Sequence, residues 1–303
     1  MDALFNVYKP RGPTSHDIVA RLRRASGVRR IGHAGTLDPL AEGVLVVAVG
    51  QATRAIEYLA DADKAYLARV TFGVETDTYD AEGRVMAERP IEDITPQRLE
   101  AALAAFRGPL LQRPPAYSAV SVGGRRLYDL ARRGHAVEAP ARPVEIARLE
   151  LVSWAPPVAV LEVECSKGTY VRSLAHDLGQ TLGCGAHLSG LIRTRVGRFL
   201  ARDAVPLEDL EATLRRVEWQ GIAIPVDQAL SDLPAIGLDP AAAARLTNGL
   251  PVPAGGSDLY QVGTLGRAYG ADGTFLAVVR RGEREGRPVW RPEKVFAPGA
   301  STG

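Results

Sequence analysis

Apolar residues at alternate positions mark several strands in the first two thirds of the chain. From Tyr66 to Val74 every second residue is apolar or aromatic, which predicts a strand with one buried face. The wholly apolar run from Val44 to Val49 is bounded by glycines and predicts a buried strand. Two more strands are expected at about 143–152 and 158–165.

Helical spacing of apolar residues predicts helices between these strands. They are expected at about 16–26, at about 52–59, between Thr95-Pro96 and Gly108-Pro109, and at about 169–182. The glycine- and proline-rich stretch from Ile31 to Gly43 is predicted to be a structured loop. Because strands and helices mix without regular βαβ alternation, the pattern predicts an α+β fold rather than a doubly wound one.

A change in pattern near Pro225 predicts a domain boundary. After it come a predicted helix at about 239–246 and short strands near Tyr260, at 275–279 and at 289–295, separated by turn residues. We therefore expect a domain of residues 1–226 and a small β-rich domain of residues 227–303.

Composition narrows the class of protein. Of 303 residues, 46% are hydrophobic and 24% charged, which is typical of folded soluble proteins and argues against disorder. No apolar run is long enough to span a bilayer, and the first ten residues, MDALFNVYKP, lack the pattern of a signal peptide, so a cytoplasmic location is expected. Cys165 and Cys184 are then expected to be reduced thiols. Cys184 and His187 have CxxH spacing, but four metal ligands cannot be assembled around them, and no metal site is predicted.

Charge is strongly segregated although the net charge is only +2. Residues 9–33 carry seven cationic side chains and one acid, and residues 107–135 carry six arginines and one acid. Residues 203–239 carry eight acids and two arginines. This distribution indicates a basic surface for a polyanion on an otherwise near-neutral body.

The segment GHAGTLDPLAEG, Gly32 to Gly43, has the densest group of candidate functional residues. Its glycines allow close backbone approach, and it presents one imidazole, His33, and one carboxylate, Asp38. Asp38 could be a catalytic group, or it could simply cap the Asp-Pro turn. The chain has no GxxxxGK[ST] motif and no GxGxxG motif after a strand, so no nucleotide cofactor is predicted.

Two further segments combine basic and aromatic residues. SKGTYVRSLAHDLG, residues 166–179, places Lys167 beside a predicted helix start and Arg172 one turn into that helix, where it could pair with a carboxylate or simply face solvent. RPPAYSAVSVGGRRLYDLARRG, residues 113–134, suits a segment that grips a phosphate backbone and stacks on bases, or a solvated hairpin.

Together with NVYKPRGPTS near the first residue, these segments resemble the TruB family of tRNA pseudouridine synthases over nearly the whole chain. KAYLARVTFGVETDTYDAEG and CSKGTYVRSLAHDLGQTLGCGAHLSGLIRT complete five blocks in the family's order. The resemblance implies a mixed, mostly antiparallel central sheet flanked by helices, with a basic RNA-gripping insert at about 109–136. It also implies a PUA-like RNA-binding tail, which the strand pattern supports more than any motif does.

The resemblance also implies roles for single residues. Asp38 corresponds to the catalytic aspartate, and Arg172 to the arginine that pairs with the catalytic carboxylate. Tyr66 corresponds to the active-site tyrosine that packs on the target base and can take part in proton transfer at C5. Residues expected to bind RNA or to line and support the site are Lys9, His33, Arg125, Arg126, Arg132, Lys167, Tyr170 and Leu191. Of these, Lys9 belongs to a motif that supports the catalytic loop, and His33 matches a histidine thought to help hold the T-loop open. Ser121 stands where the family usually has a lysine, so one basic contact is missing or moved to Arg125.

The function implied is isomerisation of uridine 55 in the T-arm of tRNA by a monomer without cofactor. The base leaves N1, turns and rejoins the sugar through C5, which needs neither redox chemistry nor energy input. An aspartate is ionised at neutral pH and can serve as nucleophile or base; whether it attacks C1′, attacks C6 or removes a proton from C2′ is left open. Two alternatives remain at this point: a tRNA-folding chaperone without essential catalysis, and a guide-RNA-dependent relative that modifies ribosomal RNA.

Overall fold

The computed structural model describes residues 2–118, 121–122, 125–126, 139–255 and 259–296, with the backbone alone described at 121–122 and 125–126. The chain forms two compact units. The first comprises the described residues within 5–47 and 56–222, and the second those within 1–4, 48–55 and 223–303.

A ten-stranded mixed sheet dominates the first part of the chain, in the order β14-β1-β3-β12-β4-β11-β10-β7, with β2 paired to β3 and β13 to β12. The strands are β1 (Ala3–Lys9), β2 (Ile31–His33), β3 (Ala41–Val49), β4 (Lys64–Phe72), β7 (Gly108–Gln112), β10 (Arg142–Ala155), β11 (Val158–Cys165), β12 (Ala186–Val196), β13 (Phe199–Leu200) and β14 (Val205–Pro206). Two small hairpins pair β5 (Val74–Thr76) with β6 (Val85–Glu88) and β8 (Ser121–Val122) with β9 (Arg125–Arg126). The pairs β1/β14 and β3/β12 are parallel, whereas β4, β7, β10, β11 and β12 form antiparallel pairs. The α+β class with a mixed, mostly antiparallel sheet is confirmed.

Helices cover this sheet, and apolar residues set their orientation. In the first unit they span Ser15–Ser26, Ile56–Ala60, Pro96–Ala104, Val171–Leu182 and Leu207–Arg216, with 3-10 turns at Ala201–Asp203 and Trp219–Gly221. The 3-10 turn Gly50–Ala55 and the helix Val226–Ala229 belong to the second unit. The helix Val171–Leu182 buries Val171, Leu174, Leu178 and Leu182, the stripe that the spacing predicts. These residues belong to one core together with the inner faces of β4 and β11. None of the described helices has the length and apolar character needed to cross a membrane.

The second unit contains a five-stranded sheet in the order β15-β17-β18-β19-β16. The strands are β15 (Ala235–Gly237), β16 (Val252–Pro253), β17 (Leu265–Tyr269), β18 (Phe275–Arg284) and β19 (Arg287–Val295). The helix Pro240–Thr247 begins at Asp239, whose Oδ1 accepts a hydrogen bond from the Ala242 amide at 2.8 Å. A core that includes Leu246, Val279 and Trp290 holds this small β-rich unit together.

Several predicted element boundaries are wrong. The expected loop at 31–43 contains β2 and the start of β3, and the helix expected at 52–59 is a 3-10 turn followed by one short α-helix. The expected strand Tyr66–Val74 ends at Phe72, because Gly73 has a φ of +88° and turns the chain into β5. The helix after Thr95 ends at Ala104 rather than at Gly108. Tyr260 lies outside any strand, and β17 follows it at Leu265.

The strand β12, which lies between β3 and β4 in the sheet, is not predicted by the sequence pattern. Register shifts between Leu188 and Gly190 and between Arg193 and Arg195 interrupt its pairing with β4. These bulges break the two-residue alternation, and one inward position holds the charged Arg193. A search for alternating apolar residues therefore fails at this strand.

Candidate active site

The loop that carries Asp38 connects β2 to β3 and is clamped on both sides of that residue. The Ser15 hydroxyl accepts a hydrogen bond from the Leu37 amide at 2.8 Å and donates one to the Leu37 carbonyl at 3.1 Å. The Gly12 amide donates to the Pro39 carbonyl at 2.8 Å. Because the backbone of both neighbours of Asp38 is hydrogen-bonded, the Asp38 backbone, from which its carboxylate extends, is held in place.

Lys9 lies under the same loop and is fully buried. Its ammonium donates to the Ala41 carbonyl at 2.6 Å and to the Pro10 carbonyl at 3.0 Å. Burial lowers the pKa of Lys9 to about 8, against an opposing effect of the Asp38 carboxylate. Because Lys9 has no exposed surface, its contacts are with the backbone beside the loop, which agrees with the supporting role that the KP motif implies.

Arg193 of β12 also holds the backbone of the Asp38 loop. It was not among the predicted site residues. Its guanidinium donates to the carbonyls of Gly35 at 3.0 Å, Thr36 at 3.2 Å and Val44 at 2.7 Å. The side chain is 1% exposed, and burial lowers its pKa. Such a buried arginine is stable because carbonyl oxygens satisfy its donors. The only sequence signal for it is its place in the block GLIRT.

Arg172 is held between two carboxylates. Its Nε lies 3.0 Å from Asp38 Oδ2, and its Nη1 lies 3.3 Å from Asp80 Oδ2. A third nitrogen, Nη2, donates to the Tyr117 carbonyl at 2.9 Å. The side chain of Asp38 is 37% exposed, whereas those of Arg172 and Asp80 are 7% and 5% exposed. Arg172 is therefore a buried cation, and the Asp38 carboxylate that it contacts is the more exposed of its two acidic partners.

Asp80 completes this arrangement and was missed. Its Oδ1 accepts from the Thr78 hydroxyl at 2.6 Å and from the Glu82 amide at 3.1 Å, while Oδ2 faces Arg172. The segment TDTYDAEG that carries it belongs to one of the family blocks, but a carboxylate in a turn has no local pattern that marks it as an arginine partner.

Tyr66 lies on β4, and its side chain lines the same cleft as Asp38. It is 8% exposed. Burial raises the pKa of Tyr66, and the nearby Arg193 guanidinium opposes part of that rise. The phenol therefore stays protonated at neutral pH and offers a flat, neutral ring.

The start of the helix Val171–Leu182 is fixed by a side chain that the sequence analysis did not identify. The buried Gln112 accepts from the Tyr170 amide at 2.7 Å and donates to the Tyr170 carbonyl at 3.0 Å. Tyr170 is the N-cap residue and makes no side-chain cap bond of its own. Gln112 thus fixes the backbone from which Arg172 extends.

These side chains surround a cleft of about 510 Å³ within the first unit. This volume is within the range of sites for small organic groups. Six predicted site residues line it together: Asp38, Tyr66, Lys167, Tyr170, Arg172 and Leu191. Thr14, Lys64 and Ser118 also line it and were not predicted. Among the described residues that line it, the cleft presents one carboxylate, Asp38, together with aromatic, apolar and basic groups.

Lys9 and His33 are the described predicted residues that do not line the cleft. His33 is on β2 outside the lining of the cleft, and burial lowers its pKa. Lys167 is exposed at the cleft and forms an ion pair with Asp61 at 2.9 Å. The side chains of Arg125 and Arg126, and all of Arg132, lie outside the described residues, as does the side chain of Ser121.

The two cysteines and His187 were considered as metal ligands from the sequence. Cys165 and Cys184 are free and buried. His187 Nδ1 lies 2.9 Å from the Val74 carbonyl. Within the part of the chain that the structure describes, no three His, Cys, Asp or Glu side chains are grouped so that they could hold a metal ion.

Comparisons with known proteins agree on one family. A model of the TruB family pseudouridylate synthase N-terminal domain matches residues 23–171, and a model of the tRNA pseudouridylate synthase B C-terminal domain matches residues 172–231. Proteins named tRNA pseudouridine synthase B are similar to this chain. The one from Symbiobacterium thermophilum is 51% identical over 82% of this chain and 83% of its own length. The one from Dehalococcoides mccartyi is 42% identical over 98% and 97%.

Two solved structures are similar along nearly the whole chain. A chain in a Cbf5-Nop10-Gar1 complex is 29% identical with a TM-score of 0.75, covering 98% of this chain and 85% of its own. A chain in an H/ACA RNP bound to a substrate RNA containing 2′-deoxyuridine is 26% identical with a TM-score of 0.73 and the same coverage.

Proposed function

The chain belongs to the TruB family of pseudouridylate synthases, and we infer that it isomerises uridine 55 of the tRNA T-arm to pseudouridine. The observation that carries this conclusion is the Asp38 carboxylate, which is 37% exposed in the cleft and held at 3.0 Å by the buried Arg172. Identities of 42–51% to proteins named tRNA pseudouridine synthase B favour a tRNA enzyme over the guide-RNA-dependent alternative.

The reaction moves atoms within one nucleotide. The bond from N1 to C1′ breaks, a bond from C5 to C1′ forms, C5 loses its proton and N1 ends with one. Electrons and atoms balance without an oxidant, a reductant or a second substrate. The chain therefore has to supply a carboxylate, a base pocket and an exit for one proton.

We assign the carboxylate to Asp38. Glycosidic cleavage places positive character on the sugar, which an ionised carboxylate stabilises. Arg172 holds the Asp38 side chain in a fixed orientation, because its Nε lies 3.0 Å from Asp38 Oδ2. Asp80 gives Arg172 a second, buried partner, so the guanidinium stays in place while Asp38 engages the nucleotide.

We assign the base pocket to Tyr66, Tyr170 and Leu191. A base inside a folded T-loop has to leave its stack before Asp38 reaches the sugar, at a cost of roughly a few kcal/mol. The Tyr66 ring and Leu191 side chain line the cleft and offer apolar surface that offsets this cost. Because the Tyr66 phenol is protonated, its role is to pack against the base rather than to act as a phenolate.

RNA contacts outside the cleft are assigned to basic groups. Lys167 at the cleft can exchange its ion pair with Asp61 for a phosphate. We propose that the insert at 109–136, with Arg125, Arg126 and Arg132, grips the T-arm, and that His33 helps to hold the loop open. We further propose that residues 1–226 form the catalytic domain, that residues 227–303 form a PUA-like RNA-binding domain, and that the protein acts as a cytoplasmic monomer.

Tritium release tests the proposed function. An unmodified tRNA transcript with C5-tritiated uridine is incubated with the protein, and the product is mapped for pseudouridine. We expect one tritium per tRNA to be released and the modification to map to position 55. A matched transcript with cytidine at position 55 should release none. Tight tRNA binding with no release from either transcript would refute the assignment.

A further inference from the structure

The turn between β5 and β6 determines where Arg172 finds its second carboxylate. Asp80 Oδ1 is occupied by the Thr78 hydroxyl and the Glu82 amide, so only Oδ2 remains for Arg172. The Thr78 carbonyl also accepts from Arg172 Nη1 at 3.4 Å. A shift of this turn would therefore move both contacts at once.

Tyr79 lies between these two contacts in a strained conformation. Its φ of +64° is in the left-handed region, which a bulky residue other than glycine rarely adopts. Such strain persists only where surrounding contacts outweigh it. The Tyr79 carbonyl accepts from the Leu188 amide at 3.0 Å, and the Ala81 amide donates to the Leu188 carbonyl at 3.0 Å, which fastens the turn to β12.

The Tyr79 side chain fastens the turn to the helix that carries Arg172. Its ring stacks on the His176 ring with centroids 3.8 Å apart and planes 13° apart. His176 follows Arg172 by four residues, so the two side chains project from the same face of the helix Val171–Leu182. The ring pair thus connects the β5–β6 turn, which carries Asp80, to the helix that carries Arg172.

His176 has no other assigned task. It does not line the cleft, its side chain is 21% exposed, and its Nδ1 has no hydrogen-bond partner among the described residues. The nearest carboxylate oxygen, Glu75 Oε1, is 4.0 Å away. Burial lowers the pKa of His176, which favours a neutral ring that packs on the phenol at neutral pH.

We propose that the stack of Tyr79 on His176 positions Asp80 against Arg172 and thereby sets the rate of uridine isomerisation. The proposal rests on the proposed function, because the rate concerns that reaction. Tyr79 and His176 are positioning residues: neither touches the cleft, and both act through Asp80 and Arg172.

The test compares variants that remove the rings with variants that keep them. His176→Ala deletes one ring, whereas His176→Phe and Tyr79→Phe keep two rings in contact. Tyr79→Gly deletes the other ring and also relieves the strain of the positive φ, so a fall in its rate cannot be due to added backbone strain. Gln180→Ala, at an exposed position of the same helix, is the matched control.

The rate is measured as single-turnover tritium release at saturating protein, next to tRNA affinity. We expect the rate to fall about fivefold in His176→Ala and Tyr79→Gly, equivalent to about 1 kcal/mol, with tRNA Kd unchanged. His176→Phe, Tyr79→Phe and Gln180→Ala should stay within about twofold of wild type. A wild-type rate in His176→Ala, or an equal loss in His176→Phe, would overturn the proposal.

Hydrogen exchange gives a readout that needs no activity. Exchange of the Ala81 amide, which bonds the Leu188 carbonyl, should quicken in His176→Ala and not in His176→Phe. Equal exchange in all variants would overturn the proposal. If wild type and Gln180→Ala both release no tritium, the proposed function fails, and the exchange rates alone then decide whether the stack fixes the turn.

Discussion

Replacing Asp80 by asparagine removes one of the two carboxylates on Arg172 with almost no change of shape. The amide oxygen of asparagine can still accept from the Thr78 hydroxyl and the Glu82 amide, which now bond Asp80 Oδ1. The amide nitrogen would then stand where Oδ2 lies 3.3 Å from Arg172 Nη1. Two donors would face each other, so Arg172 would lose this contact and keep those to Asp38 and Tyr117.

The expected size of the effect follows from the contact that is lost. A hydrogen bond to a charged partner contributes about 1.5–3 kcal/mol. If the reaction needs Arg172 in its present position, this loss corresponds to a fall in rate of about 10- to 150-fold. Asp80 is 4% exposed and does not line the cleft, so tRNA affinity should not change.

Single-turnover tritium release with excess protein measures this rate without interference from product release. The matched control is Asp77→Asn in the same turn, because Asp77 bonds Arg84 and not Arg172. We expect wild-type rates for Asp77→Asn and the predicted loss for Asp80→Asn, with both proteins folded. A wild-type rate for Asp80→Asn would show that Arg172 does not need a second carboxylate to hold Asp38 for the reaction.

Two predictions concern stability. Gly43→Ala should lower the free energy of unfolding, measured in urea, by about 2–6 kcal/mol. Gly43 has a φ of +104°, and an added Cβ would collide with the Arg193 carbonyl oxygen. Gly221→Ala, where the added Cβ meets open space, is the control, and equal urea midpoints for the two variants would contradict the prediction. Burial lowers the pKa values of His33 and His176 in the folded chain. The unfolded chain therefore takes up protons near pH 6.5 that the folded chain does not. As a result, the free energy of unfolding should fall as the pH is lowered from about 7 to 5.5. His33→Gln should flatten that slope in urea titrations, and an unchanged slope would refute it.

The elements that sequence could predict are those whose residues face one environment along their length. The helix Val171–Leu182 keeps one apolar stripe against the core, and β4 keeps one buried face, so periodicity finds both. It fails for β12, where bulges break the alternation. Pairing between distant strands brings Asp38, Tyr66 and Arg172 together, and no local pattern encodes that pairing. The roles of these three residues were predicted from the resemblance to the family's sequence blocks, not from periodicity.

The residues that were missed are bound mainly to backbone or to one distant side chain. Arg193 bonds three carbonyls, and Gln112 bonds both polar backbone groups of Tyr170. Backbone carbonyls and amides are present at nearly every position, so the residue types in the sequence do not indicate which of them a side chain will bond. Asp80 differs because its partner is a side chain, but 92 residues separate it from Arg172. Only the fold shows that these residues support the site.

Asp38→Asn tests the central claim most directly. The substitution keeps the shape of the side chain but removes the charge that faces Arg172 Nε at 3.0 Å. Single-turnover tritium release from C5-labelled tRNA and tRNA affinity are measured side by side for wild type and variant. We predict that Asp38→Asn binds tRNA with wild-type affinity and releases no tritium. Tritium release by the purified variant at a measurable single-turnover rate would show that the Asp38 carboxylate does not carry the reaction.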